Sequence, residues 1–151
     1  MPEWPVIAAL WAIQADSSQS PTVFQESWAE AIDFVSRTDA AGRRKVIILE
    51  VQSSPALGNY EQVPSVHRAI RAAIADNCVV CVAAGNGNRP ADRNDLDEPF
   101  DPTGSILVGA TTYHDTQNKR AWFSNFGSRV VVSAPGDPTH DLTCAQSGDT
   151  A

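Results

Sequence analysis

The residues best placed to do chemistry sit in one stretch, Val79-Val80-Cys81-Val82-Ala83-Ala84-Gly85-Asn86-Gly87-Asn88. An apolar run gives way to two alanines and then to an alternation of glycine and asparagine. Small residues leave the backbone open to an approaching molecule, and Asn86 adds a neutral carboxamide that can both donate and accept hydrogen bonds. Two readings stand side by side. One is a turn whose glycines and asparagines take positive φ; the other is a site that needs backbone access and a carboxamide at the carboxyl end of a strand. A phosphate loop is a third possibility raised by Gly85-Asn86-Gly87, but the third glycine is missing and no helix begins where a phosphate would need its N-terminus.

Other reactive residues support simpler readings. Cys78-Val-Val-Cys81 has redox or metal spacing. Residues three apart in a strand point to opposite faces, however, so one metal or one disulfide could not use both, and they read as small buried hydrophobes. Asp92, Asn94, Asp95, Asp97, Glu98 and Asp101 offer oxygens that could hold calcium. Their spacing lacks the glycine and terminal glutamate of an EF-hand, so a solvated acidic loop with no metal or other cofactor is expected. His67, His114 and His140 read as surface histidines.

The elements that must position Asn86 follow from periodicity. Val6 to Ile13 is a continuous apolar run expected to form a strand covered on both faces. Ser20 or Thr22 would cap a helix with Pro21 in its first turn. Apolar Phe24, Trp28, Ala31, Ile32 and Val35 then fall on one helical face. Asp39 to Gly42 would end it, and Arg43, Arg44 and Lys45 read as a solvated junction. Val46 to Leu49 starts a second strand, and residues 52–62 are loop-forming. Val63, Val66, Ala69, Ile70, Ala73 and Ile74 make a second amphipathic helix, with Asn77 as its C-terminal cap. Strands follow at Cys78–Ala84, Ser105–Ala110 and Arg129–Ala134. This order predicts a three-layer α/β/α fold built on a parallel sheet, whose ligands bind beyond the carboxyl ends of the strands.

With 151 residues, the chain is the size of one domain. Its hydrophobic content of 42% and charged content of 19% are those of a globular protein. A net charge of −7 argues against nucleic acid and anionic membrane partners, and no apolar run reaches the length of a membrane helix. The first residues lack a basic start and a small-residue cleavage site, which leaves localisation open should a natural start lie upstream.

Four segments in order resemble the subtilisin-like serine peptidases, the subtilases. VVCVAAGN is similar to the family's strand entering the oxyanion-hole asparagine, and SILVGA to its next strand. Arg120-Ala-Trp-Phe-Ser-Asn-Phe-Gly127 resembles the family's R-A-x-F-S-x-x-G turn, and Val131-Val-Ser-Ala-Pro-Gly136 its V-x-A-P-G. The resemblance implies a subtilisin-like fold and a serine endopeptidase acting on polypeptides through an acyl-enzyme. It assigns Asn86 to the oxyanion hole and a substrate strand beside Val51, Gln52, Ala83, Ala84 and Gly85. Where the family commonly has Ser-Leu-Gly, this chain has Glu50-Val51-Gln52.

The family's D-[ST]-G, H-G-T-H and G-T-S-x-A contexts, which hold the orienting aspartate, the general base and the nucleophile, do not occur here. The chain therefore reads as a single partial domain, residues 1–151, the middle of a subtilase. It is expected to be inactive alone, with the remaining portions of the same domain as its partner and an exposed apolar sheet face in their absence. The resemblance leaves secretion, common in the family, undecided. A catalytically dead module that holds extended peptides is the competing reading.

Overall fold

A computed structural model describes residues 10–13, 21–51, 58–94, 98–99, 101–112 and 119–136, with side chains in the first helix from residue 26 onward. Four parallel strands form one sheet in sequence order: β1 (Val46–Leu49), β2 (Val79–Ala83), β3 (Ile106–Thr111) and β4 (Val130–Pro135). Val46 to Leu49 pair in register with Val79 to Val82, and Cys81 to Ala83 with Ile106 to Val108. All four carboxyl ends thus lie along one edge.

Two helices cover one face of this sheet. In α1 (Pro21–Arg37) the buried Ile32 joins the core, with Trp28 and Val35 packed against it. In α2 (Pro64–Ala75) Val66, Ile70 and Ala73 recur at helical spacing and are fully buried. They meet Ile47, Leu49, Val80, Val82 and Leu107 of the sheet. Fully burying one valine, leucine or isoleucine side chain contributes about 1.5–3 kcal/mol, so this layer dominates the stability of the sheet.

Local signals in the sequence explain where the helices stop. Pro64 occupies the first turn of α2, where a missing N–H costs nothing. At its other end Asn77 is left-handed, φ +64°. The Asn77 N–H donates to Ile74 O at 3.0 Å and the Cys78 N–H to Ala73 O at 2.9 Å, the paired bonds of a Schellman stop with asparagine in the place of glycine. Helix α1 ends differently. Lys45, expected in a solvated junction, donates its ammonium to the carbonyls of Ser36 and Thr38 and so satisfies orphan acceptors at that helix end.

Near-continuous apolar strands suggested cover on both faces of a complete domain, and the partial domain was expected to leave an apolar face open; burial alternates strictly in β1 and β2, and Val46 and Ile48 are 56% and 59% exposed. Among the described residues the helices cover a single face. Of the expected first strand, residues 6–9 lie outside the described residues. Leu10 to Ile13 are not extended into the sheet, and Leu10 is 95% exposed. An apolar run reports that a segment wants cover; it does not supply the neighbouring strand that would provide hydrogen bonds and burial.

Candidate active site

Beyond Ala83 the chain makes one more sheet bond, Ala84 N to Val108 O at 2.8 Å, and turns away from β2. Gly85 makes that turn with φ +95°. A Cβ there would stand 2.8 Å from both Gly58 O and the Asn125 side-chain nitrogen, so the position needs glycine for conformation and for space. Asn88 is also left-handed, φ +48°, whereas Asn86 and Gly87 are not. The two sequence readings are therefore compatible: Gly85 and Asn88 serve the turn, and Asn86 is held exposed between them at the edge where the strands end.

Asn125, buried to 1% exposure, holds this turn from below. Its Nδ2 donates to Ala84 O at 2.7 Å, while its Oδ1 accepts from Gly87 N at 3.0 Å and Arg89 N at 3.1 Å. Its own N–H donates to Gly85 O at 2.9 Å. The segment that carries Asn125 is in turn fixed to β3: Ala121 N donates to Ala110 O at 2.9 Å, and Ala110 N donates to Ser124 Oγ at 2.9 Å. Arg120 adds a second tie, donating to Asn88 Oδ1 at 2.9 Å and to Ser124 O. Its guanidinium also lies 4.8 Å from the centre of the Phe126 ring, within cation–π range. Asp92 closes the far end of the loop on Ser128, accepting from its hydroxyl at 2.9 Å and its N–H at 3.3 Å. The Ser128 hydroxyl holds the Asp92 carboxyl below the ordinary range, with burial opposing and the Ser128 N–H assisting.

The remaining expected site residues are distributed as follows. Ala83 is half-buried at the end of β2, on the face away from the helices. The Ala84 side chain is buried, and the carbonyls of Ala84 and Gly85 each accept one hydrogen bond from Asn125. Val51 lies two residues past the last paired residue of β1, and its partly buried side chain packs against the core. Gln52 lies outside the described residues. His67 is half-buried on α2 with Nδ1 3.2 Å from Glu61 O; His114 and His140 lie outside the described residues. Of the acidic loop, Asn94 pairs with Glu98 through two bonds and Asp101 with Arg71 at 2.8 Å. Asp95 and Asp97 lie outside the described residues, and no three acids, histidines or cysteines converge among those described. Cys78 is buried and Cys81 half-buried, both free.

Sequence reading missed a buried polar centre at the starts of β3 and β4. Glu61, passed over as loop, has no exposed surface. Its carboxylate accepts from Arg129 at 2.7 and 2.9 Å, from Ser105 Oγ and Thr103 N at 3.0 Å, and from Thr103 Oγ1. It ties the short 3-10 turn at Tyr60–Gln62 to the starts of β3 and β4. Nothing local marks a glutamate for pairing across 68 residues. Asn125 was equally hidden, visible only as the unspecified x of R-A-x-F-S-x-x-G.

A surface cleft of about 530 Å³ opens at the carboxyl ends of β3 and β4, lined by Thr111, Arg120, Ser133 and Pro135. Arg120 is shared between this cleft and the loop of Asn86. The described residues thus form a parallel α/β domain with an exposed asparagine at the carboxyl edge of its sheet, the edge at which ligands of such sheets lie. The family model of the subtilases matches residues 7–150, and the chain belongs to the subtilase family. It is 36% identical over 85 residues to an intracellular serine protease of Paenibacillus polymyxa, covering 56% of this chain and 25% of that protein. It is 41% identical over 68 residues to subtilisin-like protease 3 of Saccharomyces cerevisiae, covering 45% and 13% respectively. An extracellular basic protease of Dichelobacter nodosus is 43% identical over 58 residues, 38% of this chain and 9% of that protein. The matched part is thus a quarter or less of the length of each of these relatives.

Proposed function

We propose that the chain is the central part of a serine endopeptidase domain and that Asn86 supplies its oxyanion donor. In this reading a serine oxygen attacks the peptide carbonyl carbon as its proton passes to the general base, and the carbonyl oxygen takes the negative charge. The Asn86 Nδ2–H donates to that oxygen as the tetrahedral intermediate forms. The amine leaves on taking a proton from the general acid, and water then releases the acyl group. A fixed neutral donor accelerates the step because the charge it stabilises exists only near the transition state. The substrate would run as an extended strand between Val51-Gln52 and Ala83-Ala84-Gly85. No cofactor is invoked.

The aspartate, histidine and serine contexts are absent from these 151 residues. In this reading they belong to other polypeptide of the same domain, and the 151-residue chain by itself hydrolyses nothing. The observation that carries the proposal is an asparagine of a subtilase, exposed at the tip of β2 on a loop whose backbone is bonded on both sides of it. A module that binds peptides without cleaving them keeps the strand edge as its motive and lacks the chemistry.

The test uses the intact protein, expressed with all that its gene encodes on either side of these residues, on a chromogenic peptide. Hydrolysis that a serine-directed phosphonate abolishes is the expected result. Peptide binding without hydrolysis would favour the non-catalytic module, and hydrolysis by the isolated 151 residues would refute the division of labour.

A further inference from the structure

We propose that Asn125 is the positioning residue of the oxyanion site: its buried carboxamide sets where the Asn86 side chain points. The proposal rests on the reading of Asn86 as the oxyanion donor, and it assigns a role to a residue that touches no substrate.

The geometry is specific. Asn125 is the single side chain that bonds both before and after Asn86 among the contacts described: Ala84 O on the strand side, Gly87 N and Arg89 N on the loop side. With its backbone bond to Gly85 O, four hydrogen bonds bracket residue 86 within a span of six residues. One Oδ1 accepting two N–H groups fixes the direction in which the loop leaves β2. One Nδ2 on the preceding carbonyl fixes the peptide plane from which that loop starts. A carboxamide is the side chain that can do both, since it carries a donor and a two-lone-pair acceptor in one plane. Asn125 itself is buried, so breaking the set leaves the Ala84 carbonyl unpaired in a buried position and frees the two half-buried N–H groups of the loop.

The space around it is matched to that role. The Asn125 Nδ2 stands 2.8 Å from where a Cβ on Gly85 would be, and Oδ1 stands 3.2 Å from the corresponding point on Gly87. Glycine on either side of Asn86 lets the buried carboxamide approach the backbone directly. The anchor is rigid because the Ser124 hydroxyl accepts from Ala110 N and donates to Asn125 O at 3.0 Å, tying the residue to β3. The path from β3 through Ser124 and Asn125 to the loop therefore determines the position of Asn86 relative to the sheet. An oxyanion donor displaced by a fraction of its bond length forfeits the transition-state bond while leaving ground-state binding intact.

The experiment combines Asn125→Ala, Asn86→Ala and the double variant in the intact protein, with kcat and KM read separately. Asn125→Ala is expected to lower kcat by up to ~10²-fold, the cost of a misplaced catalytic group, with KM unchanged. In the Asn86→Ala background the same change is expected to cause no further loss of kcat. A kcat loss of equal size in both backgrounds, or a loss confined to KM, would show that Asn125 serves the fold alone and overturn the proposal. If Asn86→Ala leaves kcat untouched, the oxyanion reading itself falls, whatever Asn125→Ala does. A second measurement needs neither activity nor a variant that folds: amide hydrogen exchange of the wild-type protein. The Gly87 and Arg89 amides are expected to be protected although they lie in an exposed loop. Exchange of both at the rate of an open peptide would mean that the clamp is not held in solution, and would overturn the proposal.

Discussion

At the scale of single residues, the site depends on side chains whose neighbours leave them no alternative. Gly85 combines a left-handed backbone with contact to Gly58 O and the Asn125 amide. Gly85→Ala is therefore expected to destabilise the protein by more than the ~1 kcal/mol of a typical point substitution, and to displace the Asn86 loop. Urea unfolding and the amide spectrum of residues 84–89 would measure both effects, and an unchanged midpoint would contradict this account. Asp92 gives a pH dependence of known sign. Its folded carboxyl titrates lower than in the unfolded chain, so its contribution is present above the ordinary carboxylate range and is lost as pH falls through the lowered value. The carboxylate is largely solvated, so the effect is small. Asp92→Asn is expected to flatten the acid limb of the stability curve slightly, without altering stability differences between pH 6 and pH 8. Asn86 and Gly85 were legible in the sequence because a strand running into AAGN is a local pattern. Asn125 and Glu61 were not, because each acts through partners 36 to 68 residues away.

Elements were read more securely than their surroundings. Helix α2 was legible from Val66, Ile70 and Ala73 at helical spacing and from Asn77 at its end. Four strands fell where apolar runs predicted them, each boundary within a residue or so. What the runs could not report is which face would be covered, since cover is a property of the neighbouring layer and not of the strand. The stop at Asn77 invites a direct test. Asn77→Ala places a Cβ-bearing residue of no local bonding capacity in the left-handed region and is expected to cost about 1 kcal/mol, while Asn77→Gly is expected to be neutral or stabilising. Thermal unfolding of both variants separates the conformational argument from any role of the carboxamide; equal losses in the two would contradict it.

For the whole molecule, two features govern behaviour. The Glu61 carboxylate is buried, and its pair with the half-buried Arg129 joins the turn before α2 to the strands furthest along the chain. Replacing Arg129 by Met leaves a desolvated carboxylate without its cation, which is expected to cost about 3–5 kcal/mol. A smaller loss by urea unfolding would mean that Thr103 and Ser105 suffice. The second feature is the open sheet face, where Val46 and Ile48 stand more than half exposed. The isolated 151-residue chain is expected to self-associate through that face, and Ile48→Glu to reduce association in sedimentation experiments. A monomeric wild-type chain with a well-dispersed amide spectrum would contradict this. Above all stands the claim that Asn86 binds a transient negative oxygen. The most direct measurement is the affinity of the intact protein for a peptide boronate, which forms a tetrahedral adduct, set beside its affinity for an uncleavable peptide of the same sequence. Asn86→Ala is expected to weaken the boronate by ~10²–10³-fold, a magnitude carried over from subtilisin, where removal of one such donor has that effect on turnover, and to leave the peptide's affinity unchanged. Equal weakening of both ligands, or of neither, would contradict the account.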